Sequence, residues 1–273
     1  MNFGSILDGL GIHHRLRASR AYDLCWLLRS PRQWESRRNE KRFYRRLLGA
    51  VSREDLIFDV GANVGEKCAI FLRLGARVVA VEPDQASCAI LKEKFFKLRL
   101  RKPRLTIVCE AVGRTRGEAE MFLDRPGSAV NTLSEKWAGT LLRDSSRAGG
   151  GPFAFERTVR VPVTTLAELV DRFGLPRYIK IDVEGHEFAV LSGLGRPVPL
   201  LSFEANLPEF LGEAQDCIKL LTAEDGRAGF NYTADCGAGF ALARWVGAGE
   251  MASRLETCGE RSVEIFCRPS LAR

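Results

Sequence analysis

The chain has 273 residues, 45% apolar and 27% charged, with 26 Gly, 11 Pro and a formal net charge of +7. That length and apolar share support a real core in one large domain or two small ones, and exclude disordered, collagenous and low-complexity classes. No uncharged run approaches the ~18 residues of a membrane-spanning helix, and no basic start leads into an apolar stretch, so a cytoplasmic protein without a secretory signal is expected.

Residues 1–50 hold 11 Lys and Arg against 4 Asp and Glu, which is the whole charge excess, and they form a basic helical segment ahead of a neutral body over 51–273. Within it, 12–48 reads as two helical stretches broken near Ser30-Pro31. In the second, Phe43/Leu47 and Tyr44/Leu48 are i,i+4 pairs, and Arg37, Arg38, Lys41, Arg42, Arg45 and Arg46 cover the other faces. From Asp55 short apolar runs alternate with helical ones. Strands are expected at Leu56–Val60, Arg77–Val81, Leu105–Cys109, Tyr178–Asp182, Leu200–Glu204, Phe230–Thr233 and Val263–Cys267. Helices are expected at Glu66–Leu74, Gln85–Phe96, Thr165–Phe173, Glu187–Leu191 and Glu209–Thr222. This rhythm implies an α/β fold, a mostly parallel seven-stranded sheet with helices on both faces. Glu118–Leu123 and Thr158–Val163 break it as an inserted hairpin over one end of the sheet, with a mobile Gly- and Ser-rich loop at Arg143–Pro152. The eight cysteines are scattered and never spaced C-x2-C, so buried thiols are expected rather than zinc ligands or disulfides.

The most informative segment is Phe58–Gly65. An apolar strand ends in Asp59 and enters a turn with Gly61, Asn63 and Gly65 that opens a helix, a geometry that brings a ligand close to the backbone. The pattern D-x-G-x-N-x-G is not the G-x-G-x-x-G of a dinucleotide turn. At the next strand tip stand Glu82, Pro83 and Asp84; a carboxylate there can accept both hydroxyls of a ribose. The third tip carries Glu110 and Ala111, where an adenine edge would lie. Three converging strand tips make a nucleoside pocket.

With these pieces the chain resembles the FkbM family of S-adenosylmethionine-dependent methyltransferases, in the Rossmann-like class I methyltransferase fold. The matching strings are Asp59–Gly65, Val81–Asp84, Glu110–Gly113, Val161–Leu169 and Lys180–Glu187 (KIDVEGHE), with Asn131–Trp137 in the insert. Ala167 departs from the family's usual acid, and residues 1–50 lie outside the match. The resemblance implies S-adenosylmethionine as methyl donor, S-adenosylhomocysteine as product, and a hydroxyl acceptor on a sugar, glycoconjugate or polyketide-like metabolite.

Donor-binding residues are then Asp59, Gly61, Asn63, Gly65, Glu82, Pro83, Glu110, Ala111 and Asp182. The catalytic candidates are Asp182, Glu184 and His186, because an alcohol must be aligned and lose its proton. Glu187 serves either there or at the start of the following helix. Asp182, Glu204 and Asn206 offer oxygen ligands of the kind Mg²⁺ takes, but structural roles are favoured and no metal is expected. The rival readings are a nucleotide-cofactor oxidoreductase and a nucleic-acid-binding module; neither a dinucleotide turn nor a base-stacking pattern supports them, and no nucleic-acid partner is expected. Residues 12–48, which add Tyr22, Trp26 and Trp34 to the basic face, suit a lid over the acceptor cleft, peripheral contact with an anionic membrane, or a partner protein. The lid is favoured because Phe43, Tyr44, Leu47 and Leu48 lead straight into the first strand.

Overall fold

Side-chain alternation along the first strand sets the architecture: Leu56, Phe58 and Val60 pack into the core on one side of a sheet and Ile57 into the core on the other. The computed structural model describes residues 31–96, 103–224 and 226–268. Its strands are β1 (Leu56–Val60), β2 (Arg77–Val81), β3 (Leu105–Val108), β4 (Ala111–Val112), β5 (Gly117–Leu123), β6 (Arg157–Thr164), β7 (Tyr178–Ile181), β8 (Leu201–Asn206), β9 (Gly229–Thr233) and β10 (Ser262–Arg268). Its helices are α1 (Pro31–Leu48), α2 (Glu66–Leu74), α3 (Gln85–Lys94), α4 (Glu135–Arg143), α5 (Leu166–Phe173), α6 (Glu187–Ser192), α7 (Leu211–Glu224) and α8 (Ala248–Glu256).

Seven strands form one sheet in the order β3-β2-β1-β7-β8-β10-β9. The β1–β2, β2–β3, β1–β7 and β7–β8 pairs are parallel, and β10 runs antiparallel between β8 and β9. Helices α5 to α8 cover the face of Phe58 with Leu169, Val190, Ile218 and Met251. Helices α1 to α3 cover the opposite face with Tyr44, Phe71 and Leu91, each fully buried and each contributing about 1.5–3 kcal/mol of apolar burial. The α/β expectation of a mostly parallel seven-stranded sheet holds. The strand tips that carry the sequence motifs all open at one end, between β1, β2, β3 and β7.

The inserted hairpin is present as β5 and β6, paired antiparallel, and β4 joins β6 to make a second, three-stranded sheet. Arg143–Pro152 is not the mobile loop expected. Ser145–Ala148 forms a 3-10 turn, and Arg147 donates to the carbonyls of Leu207 and Arg261 and pairs with Glu209 at 2.8 Å. Those partners lie about sixty and a hundred residues away in sequence, beyond any local pattern.

Helix α1 begins at Pro31, whose missing N–H is harmless in a first helical turn. The first stretch expected in the basic segment, with Tyr22, Cys25 and Trp26, lies outside the described residues. The cysteines need a correction: Cys88 on α3 and Cys109 beyond β3 are joined as a disulfide, because α3 packs beside the β3 tip and brings their Cα atoms to 6.2 Å. Cys68, Cys217 and Cys236 are buried thiols, as expected. Among the described residues no helix is long and apolar enough to cross a membrane.

Candidate active site

The turn after β1 exists because only glycine fits its first bend. Gly61 has φ +80°, and a Cβ there would stand 1.7 Å from the Asp182 carbonyl oxygen, so the turn packs backbone to backbone against the end of β7. Two residues later Asn63 also takes the left-handed conformation, at φ 45°, and its N–H donates to Glu82 Oε2 at 2.7 Å. The Asp84 N–H donates to the other Glu82 oxygen at 2.9 Å. Burial pushes the Glu82 carboxyl up to about 7, against the pull of those two N–H groups. The β1 turn and the β2 tip are therefore tied together through one carboxylate.

These groups form a crevice of about 520 Å³. Of the expected donor-site residues, Gly61, Asn63, Glu82, Pro83, Glu110, Ala111 and Asp182 line it, and so do the catalytic candidates Glu184 and His186. Asp59 and Gly65 do not. Asp59 is 1% exposed and accepts the Cys68 thiol at 2.9 Å beneath the turn, because strand alternation turns it toward α2. Gly65 is needed for packing: a Cβ there would meet Leu91 Cδ2 at 2.6 Å. Both shape the turn from behind.

The insert roofs the crevice with Ser128, Ala129, Asn131, Thr132 and Leu133. It is pinned to the strand tips by Asp84, which accepts from Gly127 N and, at 3.3 Å, from Asn131 Nδ2. Thr132 Oγ1 donates to the Glu184 carbonyl at 2.6 Å, and Trp137 Nε1 donates to the Glu184 carboxylate at 2.6 Å. Asp84 and Trp137 escaped the sequence reading as site residues, although both sit in the strings that carry the family resemblance. Glu184 itself has φ 55°, an unfavourable conformation for a side chain of its size, held by these bonds.

Around Asp182 the electrostatics are dense. Burial acts to raise its pKa, but the Lys180 ammonium at 2.7 Å outweighs that and holds it below the usual carboxylate value. Lys180 is raised in turn: burial opposes its charge, yet Asp182, Glu264 and Asp59 overcome it. Glu204 is pushed well up by burial and by the Asp182 charge, and a hydrogen bond between the two carboxyl groups helps to hold Asp182 down. Burial and Asp182 push Glu184 up to about 8. His186, lowered by burial, is a neutral imidazole near pH 7. Glu187 accepts the N–H groups of Val183 and Gly185 and thus braces the turn.

Asp182, Glu184 and Glu204 present carboxylate oxygens within 4.8 Å of one another, the one set among the described residues able to hold a cation. Asn206 stands outside this set and donates to Glu204 at 3.4 Å. Lys180, 2.7 Å from Asp182, already supplies one positive charge to this cluster. Beyond Asp182 a second cavity opens, lined by Glu40, Lys67, Lys180, Glu204, Thr233 and Glu264 among others. Lys180 was visible in sequence as the inward neighbour of Asp182 at period two; the rest come from elements far apart in the chain.

Among curated proteins no significant match is found. Among solved structures, an FkbM methyltransferase from Methylobacillus flagellatus KT is 14% identical with a TM-score of 0.48; the alignment covers 79% of this chain and 44% of that one, so this chain spans less than half of that protein's length. A precorrin-6y C5,15-methyltransferase from Geobacter metallireducens GS-15 is 11% identical, TM-score 0.40, over 85% of this chain and 86% of its own. A TehB-like SAM-dependent methyltransferase from Corynebacterium glutamicum ATCC 13032 is 11% identical, TM-score 0.41, over 85% and 88%. The Methyltransferase FkbM domain matches residues 59–229, from the end of β1 to the start of β9 and across every strand tip of the crevice; the chain belongs to the FkbM methyltransferase family.

Proposed function

We propose that the chain is an S-adenosylmethionine-dependent O-methyltransferase whose acceptor is a hydroxyl of a small molecule or glycan. The observation that carries this reading is the continuity of the crevice, from the Glu82 carboxyl and the Glu110–Ala111 tip to Asp182. The residues fit a nucleoside with an amino-acid tail. Glu82 keeps lone pairs for ribose hydroxyls after accepting two backbone N–H groups, and Gly61 and Asn63 leave open backbone at the wall. The donor would supply a methyl group already activated on a sulfonium.

What remains for the protein is alignment and a proton. In this reading Asp182, kept ionised by Lys180, takes the hydroxyl proton at its carboxylate. Glu184 is a weaker choice of base, since its carboxylate is held by Trp137 and protonated below about 8. His186 stays neutral and able to accept a proton from the crevice side. The insert, pinned by Asp84 and Glu184, keeps water from the crevice.

Calorimetric titration with S-adenosylmethionine and with NAD tests the donor. Binding of the first and not the second is expected; the reverse overturns the reading. Incubation of the chain with ¹³C-methyl donor and a polar metabolite extract, followed by carbon NMR, tests the acceptor atom. A methyl ether signal is expected, and an N-methyl signal alone would replace O-methylation by N-methylation.

A further inference from the structure

The cavity on the far side of Asp182 has a composition that selects a substrate. It opens to solvent and spans about 710 Å³ with its mouth included, and Asp182 is a wall it shares with the donor crevice. Five carboxylates line it, Glu40, Asp182, Glu204, Asp235 and Glu264, against two ammonium groups, Lys67 and Lys180. Each lysine is already paired within the wall, Lys67 with Glu40 and Lys180 with Asp182. Glu264 shares in the attraction of both lysines, and Asp235 is left without a cation among the described residues. Glu264 accepts from Ser202 Oγ at 2.6 Å, from the Tyr178 hydroxyl at 3.2 Å, from Cys236 Sγ at 3.2 Å and from the Tyr44 hydroxyl at 3.3 Å, all neutral donors. Asp235, exposed at the rim, accepts only the Gly237 N–H. Five carboxylates against two ammonium groups leave an excess of acidic groups in the lining, which disfavours an anionic ligand and favours a cationic one.

A second observation points to a hydroxyl-bearing occupant. Thr233, at the end of β9, is 2% exposed and lines this cavity, yet its Oγ1 has no hydrogen-bond partner. A buried hydroxyl left unmatched is costly, and a ligand hydroxyl would relieve that cost. We propose that this cavity is the acceptor site and that it takes a hydroxyl-rich acceptor bearing a protonated amine and no phosphate or carboxylate. The amine faces Asp235 and Glu264, one hydroxyl meets Thr233 Oγ1, and another reaches the Asp182 wall. This assignment rests on the methyltransferase reading and adds the acceptor class to it.

The test uses the full chain with S-adenosylhomocysteine present, titrated with D-glucosamine, D-glucose and D-glucose 6-phosphate and followed by ligand-observed NMR. Glucosamine should bind about fivefold more tightly than glucose, with the gap closing as salt is raised, and glucose 6-phosphate should bind most weakly. Asp235→Asn, at an exposed position that leaves folding intact, should bring glucosamine down toward glucose. Thr233→Val, nearly equal in volume, should weaken glucosamine and glucose alike, by about two- to tenfold. Equal affinity for all three sugars, binding of none, or tightest binding of the phosphate overturns the proposal. S-adenosylhomocysteine affinity is measured in the same samples. If it is absent, the methyltransferase reading fails; if it is present without the sugar preference, only the acceptor assignment fails.

Discussion

The two cavities that meet at Asp182 are built in opposite ways. The donor crevice is assembled from strand tips and the turns that directly follow them, so its walls at Gly61, Asn63, Glu82 and Glu110 belong to short contiguous strings. The polar cavity draws Glu40 from α1, Lys67 from α2, Glu204 from β8 and Glu264 from β10, with Thr233 at the end of β9. The first is a local backbone device, of the kind a ligand common to many enzymes can use, whereas the second is made of side chains that the sheet brings together from across the chain. The first should break as a unit and the second residue by residue.

Gly61→Ala should have the largest effect because it strikes the shared wall. The new Cβ would overlap the Asp182 carbonyl, with 1.7 Å between them, so the cost should be about 3 kcal/mol or more, read as a fall in denaturation midpoint together with loss of donor binding. A variant that binds donor and melts like the parent would show that the turn and β7 move freely. Glu264→Ala should cost about 2–3 kcal/mol by taking the acceptor from the Tyr44 hydroxyl and from the bonded Tyr178–Ser202 hydroxyl pair, yet leave donor affinity within about twofold, since Glu264 lines only the polar side. Equal damage to donor binding would mean that the two sides are not separable.

Glu82→Ala is the converse. Donor binding should weaken by about 1.5–3 kcal/mol in calorimetry, with a smaller loss of stability because the Asn63 and Asp84 N–H groups lose their acceptor. Unchanged donor affinity would remove the ribose role.

The smallest effect is a pH slope. Glu184, raised to about 8 from an ordinary 4.5, binds its proton more tightly in the folded chain, so its contribution to stability is full below about pH 4.5 and is lost as pH climbs toward 8. Thermal melts across that window should fall for the parent and flatten for Glu184→Gln, which can still accept from Trp137 Nε1. A slope of the same size in both chains would place the titration elsewhere. Asp182, held down by Lys180, has the opposite sign and loses its contribution only in acid.

The same contrast explains what the amino-acid string disclosed. Helix α2 spans Glu66–Leu74 as the string suggests, and strands β1 and β2 match their expected bounds, because strand alternation and turn glycines are local signals. Helix α4 was missed inside a segment read as hairpin and loop, although Ser134 caps it by accepting Trp137 N at 3.2 Å and Trp137, Ala138 and Leu141 fall on one buried face. Helix α8 was missed because Met251 and Leu255 are its only buried apolar anchors. At the site, Asp59 was placed in the crevice from its motif position, whereas the pleat sends it the other way, to Cys68. The Cys88–Cys109 bond and the Glu264 cluster depend on tertiary neighbours that no window of sequence contains.

The Glu264 cluster also bears on how the chain is made. Tyr44 and Glu264 are 220 positions apart, yet one donates to the other. During synthesis Tyr44 leaves the ribosome 220 residues ahead of the carboxylate that receives its hydroxyl. Through that interval Phe43 and Tyr44 wait without their partners Phe240, Phe266 and Glu264. A contact of such long range is slow to form and leaves apolar surface open to chaperones or to aggregation in nascent chains. Expression yield should therefore respond to changes in β10 far more than its distance from the donor crevice would suggest, since that strand closes the core over α1.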